Sequence, residues 1–185
     1  MNELFKYCEG IKKIKFVKFY RKNIIDMTSL FYQCSSLEEV DFSHFNTEKV
    51  KNMNYMFWGC RKLKELDLSN FNNKNLIDMN NMFSCCKSLN KLNLTKFNTQ
   101  KVTFYVNMTC LFDGCKSLEE LDLSSFNTSN VTDMVSMFHS CKSLKKINIS
   151  SFDTSKVISM YGMFDGCLSL TELDLSNFNL NSLNF

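Results

Sequence analysis

Hydrophobic and polar positions recur along this chain with a period of 26 residues. Seven cysteines mark the phase: Cys8, Cys34, Cys60 and Cys86 stand 26 apart, and so do Cys115, Cys141 and Cys167, with one step of 29 from Cys86 to Cys115. The three extra residues fall within KVTFYVNMTC, residues 101–110. Each of these cysteines is followed by Leu or Ile at three places, an aliphatic residue at six, Leu, Ile or Phe at eight, and Phe at eleven; Phe also precedes each by three. A unit this small cannot bury its own apolar face, so it must stack on its neighbours.

Each unit reads as two pieces. Around Leu121 and Leu123 apolar residues alternate with Glu120 and Asp122, which predicts a short strand with the leucines inward. Met134, Met137, Phe138 and Cys141 fall at i, i+3, i+4 and i+7. That spacing predicts a short helix, partly 3₁₀, with Asn130 and Asp133 at its start. Parallel strands stacked ~4.8 Å apart then predict an α/β solenoid of about seven coils, each a short strand plus a short helix. The coils are anchored at the seven cysteines and form one domain over residues 1–185. A slip of one residue would turn every inward Leu and Phe of a strand to the other face, so the fixed period holds the register.

Composition follows from the repeat. The chain has 18 Phe and 11 Met, and 14 of the Phe belong to the two Phe columns, so the aromatic excess is core. Of nine Cys, seven hold one slot per coil. Equivalent side chains point the same way, which predicts a ladder of reduced, buried thiols rather than disulfides. Cys85 and Cys110 lie outside the series and are expected to be exposed and reactive. No CxxC pair exists and the two histidines, His44 and His139, stand at different phases, so no zinc site or other metal site is predicted.

The net charge of +3 excludes a dedicated nucleic-acid binder. Residues 1–22 carry +5 and the rest of the chain −2; the basic segment, with Lys12, Lys13, Lys15, Lys18, Arg21 and Lys22, reads as an edge strand guarded by lysines. No run approaches ~18 apolar residues, so no transmembrane segment is predicted. The first residues show neither an apolar run nor a small-residue cleavage site, so export is not encoded there.

Polar columns carry the remaining information. Tyr20, Asn46, Asn72, Asn98, Asn127, Asp153 and Asn179 follow the second Phe column, and Thr47, Asn73, Thr99, Thr128 and Thr154 come next. They predict a ladder of turns. On the outer face of the strands one column reads Glu39, Glu65, Lys91, Glu120, Lys146, Glu172 and the other Asp41, Asp67, Asn93, Asp122, Asn148, Asp174. With Lys13 and Lys15 the coils alternate in sign almost throughout, which favours the native register. The same face is the candidate protein-binding surface. The ends of the sheet show no cap, so end-to-end association through them is a further expectation.

No GxSxG, HExxH or phosphate-binding Gly-rich loop occurs, so the reading is not an enzyme, with no cofactor. The unit CKSLEELDLSSFNTSNVTDMVSMFHS, residues 115–140, closely resembles the 26-residue repeat of the BspA-like leucine-rich-repeat surface proteins, and the resemblance runs over residues 4–183. It implies a leucine-rich-repeat-like solenoid displayed at a cell surface and serving adhesion or protein binding. The chain departs from that family in lacking an export signal and a lipobox, which leaves a cytoplasmic location open. It also departs from the commonest leucine-rich consensus: where Asn is usual, Phe71 or Phe126 stands, with Asn72 or Asn127 next. The function expected is a non-catalytic module for protein–protein binding or adhesion. The alternative is a structural spacer or a fragment of a longer array.

Overall fold

A computed structural model describes residues 1–17, 23–97, 99 and 106–181, and only the backbone at residues 106–107. Among these residues there are eight short strands: β1 Lys13–Lys15, β2 Glu39–Asp41, β3 Glu65–Asp67, β4 Lys91–Asn93, β5 Val106–Asn107, β6 Glu120–Asp122, β7 Val131–Asp133 and β8 Lys146–Asn148. They pair in parallel as four open two-stranded sheets, β1–β2, β3–β4, β5–β7 and β6–β8. Cα partners lie 26 residues apart, Lys13 opposite Glu39, Glu65 opposite Lys91 and Glu120 opposite Lys146. Isolated bridges join Asp26 to Asn52, Asn52 to Asp78, and Asp133 to Ser159, along the line that β5 and β7 occupy.

The expected α/β solenoid is overturned. No described residue is helical, and the strands form separate open sheets rather than one continuous curl. The Met–Phe–Cys segment is a run of turns. Its backbone alternates between two partners. The amides of Met27, Ser29, Phe31 and Gln33 donate to carbonyls of the following coil, at Asn52, Asn54, Met56 and Trp58 (2.7–2.9 Å). The amides between them, of Leu30, Tyr32 and Cys34, turn back three residues at 3.0–3.2 Å. An α-helix would need every one of these amides for its own i−4 carbonyl. Two left-handed residues four apart enforce the alternative in each coil, for example Ser29 (φ 54°) and Gln33 (φ 58°), or Gly162 (φ 63°) and Gly166 (φ 73°). The predicted helix start at Asn130 and Asp133 is instead occupied by β7.

The inward stripe itself is as the spacing predicts. Met134, Met137, Phe138 and Cys141 are all fully buried. Phe5, Phe31, Phe57, Phe83, Phe112, Phe138 and Phe164 form a continuous ring stack with centroids 5.3–5.9 Å apart. The step across the 29-residue unit, Phe83 to Phe112, is 5.4 Å, so the ring stack keeps its spacing there. Of the inserted stretch, residues 101–105 lie outside the described residues, as do Lys18, Phe19, Tyr20, Arg21, Lys22, Asn98 and Leu183.

The thiol column is hydrogen-bonded. Each of Cys34, Cys60, Cys86, Cys115, Cys141 and Cys167 donates its Sγ proton to the Phe carbonyl of the preceding coil, at 3.0–3.2 Å. All nine cysteines are free. Buried thiols of this kind are small apolar fillers with one weak donor, here satisfied. The turn ladder divides its labour. Asn46, Asn127, Asp153 and Asn179 accept the amide two residues on, within their own coil (2.9–3.0 Å). The threonines join coils: Thr128 Oγ1 donates to the Asp153 carbonyl at 2.9 Å and accepts the Asp153 amide at 2.7 Å.

Candidate functional site

Three-residue strands of the form polar–aliphatic–polar place one side chain in the core and two in solvent. In β3 and β6 the central Leu66 and Leu121 are buried and the flanking acids are exposed. The twelve predicted face residues therefore lie along one side of the stack, with Lys13 and Lys15 before them. Glu172 and Asp174 continue both columns on coil 7 without strand structure.

The charges pair across coils. Lys13 Nζ is 2.8 Å from Glu39 Oε2, Lys91 Nζ 2.8 Å from Glu65 Oε1, and Lys146 Nζ 3.4 Å from Glu120 Oε1. Beside them Lys145 Nζ lies 2.7 Å from Glu119 Oε2, a pair outside the predicted columns. The first three join strand partners within one sheet. Where the sheet is interrupted between β2 and β3, the repeat sets Glu39 beside Glu65 and Asp41 beside Asp67, and like charges in facing positions disfavour pairing. The interruption between β4 and β6 falls in the unit with the three extra residues.

The second column has a local duty that the sequence reading assigned only to the surface. Asp41, Asp67, Asn93, Asp122, Asn148 and Asp174 each accept the amide two residues on, at 2.9–3.2 Å. These are Asx turns that end the strand. The Ser43, Ser124 and Ser176 amides, aided by the serine hydroxyls, hold the Asp41, Asp122 and Asp174 carboxyls below their ordinary range. The hydrogen bond from Lys13 does the same for Glu39.

Over β3, β4 and β6 the face opens into a cleft of about 940 Å³, lined by Glu65, Asp67, Lys91, Asn93 and Glu120 together with Asn90, Thr95 and Glu119. A recess of about 420 Å³ over Glu120, Asp122, Lys146 and Asn148 adjoins it. Further recesses lie over Lys146, Glu172 and Asp174 and over Asp41 and Asp67. Glu39 lines none of these four. Leu66 and Leu92 also line the large cleft, so the charges are set around apolar surface. Wide and open, the face differs from the enclosed cavities that small molecules favour.

Other polar groups are placed as follows. Burial pushes the Cys34 thiol up to about 11, and those of Cys60, Cys86, Cys115 and Cys141 further. Cys85 and Cys110, expected to be exposed, are half-buried, and burial raises the Cys110 thiol as well. His44 is exposed. His139 is half-exposed, with Nδ1 2.7 Å from Asp113 Oδ1 and Nε2 3.7 Å from Asp165 Oδ2. The periodic reading missed this cross-coil contact because its column varies: Tyr32, Trp58, Ser84, Asp113, His139, Asp165. In the same column Tyr32 and Trp58 stack at 4.7 Å. Among the described residues no group of three His, Cys, Asp or Glu is placed to hold a metal ion, and no helix is long and apolar enough to cross a membrane.

Residues 1–109 and 91–184 match the family described as "Mycoplasma protein of unknown function, DUF285". Among solved structures, the Treponema pallidum leucine-rich-repeat protein is similar to this chain with a TM-score of 0.57 at 16% identity, over 91% of this chain and 69% of that one. A leucine-rich-repeat protein from Bacteroides ovatus reaches a TM-score of 0.42 at 20% identity, over 82% of this chain and 43% of that one. No curated protein matches the sequence. The likeness to the treponemal protein shows a remotely leucine-rich-repeat-like fold.

Proposed function

We propose that this chain, which belongs to the DUF285 family, is a protein-binding module that receives its partner on the strand face. The observation that carries this reading is the convergence of Glu65, Asp67, Lys91, Asn93 and Glu120 on one open cleft of about 940 Å³. Repeat stacks commonly bind along such extended faces, and a row of fixed, mixed-sign side chains gives a partner both register and sign to match. In this reading the module is displayed at a cell surface and serves adhesion, as the BspA-like resemblance implies.

The test uses immobilised extracellular-matrix proteins as probes. The parent chain binds at least one of them. A variant carrying Glu65→Lys, Lys91→Glu and Glu120→Lys keeps its unfolding midpoint within a few degrees and loses most of that binding. Binding that survives while the midpoint falls would make the face structural, and the chain a spacer.

A further inference from the structure

The two ends of the stack are the two halves of an internal coil contact. Inside the stack, the amides of Ser136, Phe138 and Ser140 donate to the carbonyls of Tyr161, Met163 and Asp165 in the following coil. Gly162, Phe164 and Gly166 hold the same columns in coil 7, and by column their acceptors would be the carbonyls of Asn2, Leu4 and Lys6 in coil 1. The thiol rung ends in the same way. Cys167 donates to the Phe138 carbonyl, which leaves the Phe164 carbonyl facing the column position that Cys8 holds.

Both ends also bare apolar cross-sections that interior coils cover. Phe138, Leu144 and Phe152 are buried, whereas their counterparts Phe164, Leu170 and Phe178 are half-exposed. Ile149 is 3% exposed and its counterpart Leu175 is 40% exposed. On coil 1, Phe5, Ile11 and Ile14 are likewise half-exposed.

Charge then selects which end meets which. Column by column, Glu172 of coil 7 matches Lys13 of coil 1, and Asp174 matches Lys15, opposite in sign at both places. The same acid-to-lysine order is seen inside the stack where Glu65 pairs with Lys91. Two lysine-bearing ends, or two acidic ends, would repel.

We propose that a second copy of this chain docks its coil 1 on coil 7 in the register of the internal repeat, so that the chain assembles head to tail. Such a contact is heterologous, so each added copy presents a further end for another to join. The proposal is independent of what binds the strand face.

Sedimentation velocity over a concentration series tests it. The parent chain shifts progressively from monomer to higher multiples as concentration rises. The variants Glu172→Lys/Asp174→Lys and Lys13→Glu/Lys15→Glu each stay monomeric, with circular dichroism spectra matching the parent's. Mixed in equal amounts they assemble again, because each supplies the sign the other lacks. A parent that stays monomeric throughout, variants that assemble alone like the parent, or a mixture that fails to assemble would each overturn the proposal. Should either double variant unfold, the single substitutions Glu172→Lys and Lys13→Glu carry the same test.

Discussion

At the scale of single residues the threonine column explains one substitution. Thr47, Thr99, Thr128 and Thr154 are buried and bridge coils through one hydroxyl each. Asn73 stands in the same column, 1% exposed, and among the described residues neither its Oδ1 nor its Nδ2 has a hydrogen-bond partner. Unpaired buried amide atoms cost roughly 1–3 kcal/mol. Asn73→Thr is therefore expected to raise unfolding stability by about 1–3 kcal/mol in a denaturant titration. In the opposite direction, Thr128→Val keeps the shape and leaves the Asp153 amide and carbonyl without their partner, with an expected loss of about 2 kcal/mol. The carboxylates set the pH behaviour. Asp41, Asp122, Asp153 and Asp174 are held below their ordinary range by serine amides and hydroxyls, and Glu39 and Glu48 by hydrogen bonds from lysines. A depressed carboxyl stabilises the fold above its unfolded value and ceases to do so as protons return. Thermal stability is therefore expected to be flat above about pH 5 and to fall steadily below about pH 4. A midpoint that rises on acidification would contradict this.

At the scale of elements the strands and the turn segment were not equally legible. The strands could be read because alternation has one structural meaning, and their register because Lys13, Glu65 and Glu120 each find an opposite charge 26 residues on. The Met–Phe–Cys segment was misread because two successive turns bury positions i, i+3, i+4 and i+7 just as a helical turn does. Signals against a helix were present in the sequence. Gly59, Gly114 and Gly166 recur immediately before the cysteine, where a helix would be weakened, and the chain contains no alanine. The candidate face was legible in its columns; its cleft lies over the break between β4 and β6, where the 29-residue step marks the place in the sequence but not that the strands part there. Gly166→Ala checks the turn geometry. Its φ is +73° and an added Cβ would stand 3.2 Å from Ser140 Cα. The left-handed conformation alone costs a side-chain-bearing residue roughly 1–2 kcal/mol, so the substitution is expected to destabilise by at least that much. In a true helix, Gly→Ala would stabilise instead.

At the scale of the whole molecule, stability is shared through nearest-neighbour contacts between coils, and position in the stack decides what one contact contributes. Phe83 is 1% exposed and lies between Phe57 at 5.9 Å and Phe112 at 5.4 Å. Phe164 is half-exposed and, among the described residues, stacks on one side only, on Phe138 at 5.3 Å. Truncating a fully buried Phe costs about 3–5 kcal/mol through lost burial and the cavity left behind. Phe83→Ala is expected to lose that amount and to weaken both flanking interfaces. Phe164→Ala is expected to lose clearly less, because water already reaches part of the ring. Hydrogen exchange distinguishes the two. Inter-coil amides of the central units, such as Phe57 and Phe83, are expected to exchange last in the parent chain. Phe83→Ala should speed exchange on both sides of the substitution, while Phe164→Ala should speed it only in the coils next to residue 164. Uniform acceleration across the stack in both variants would mean a single cooperative unit in place of coupled coils.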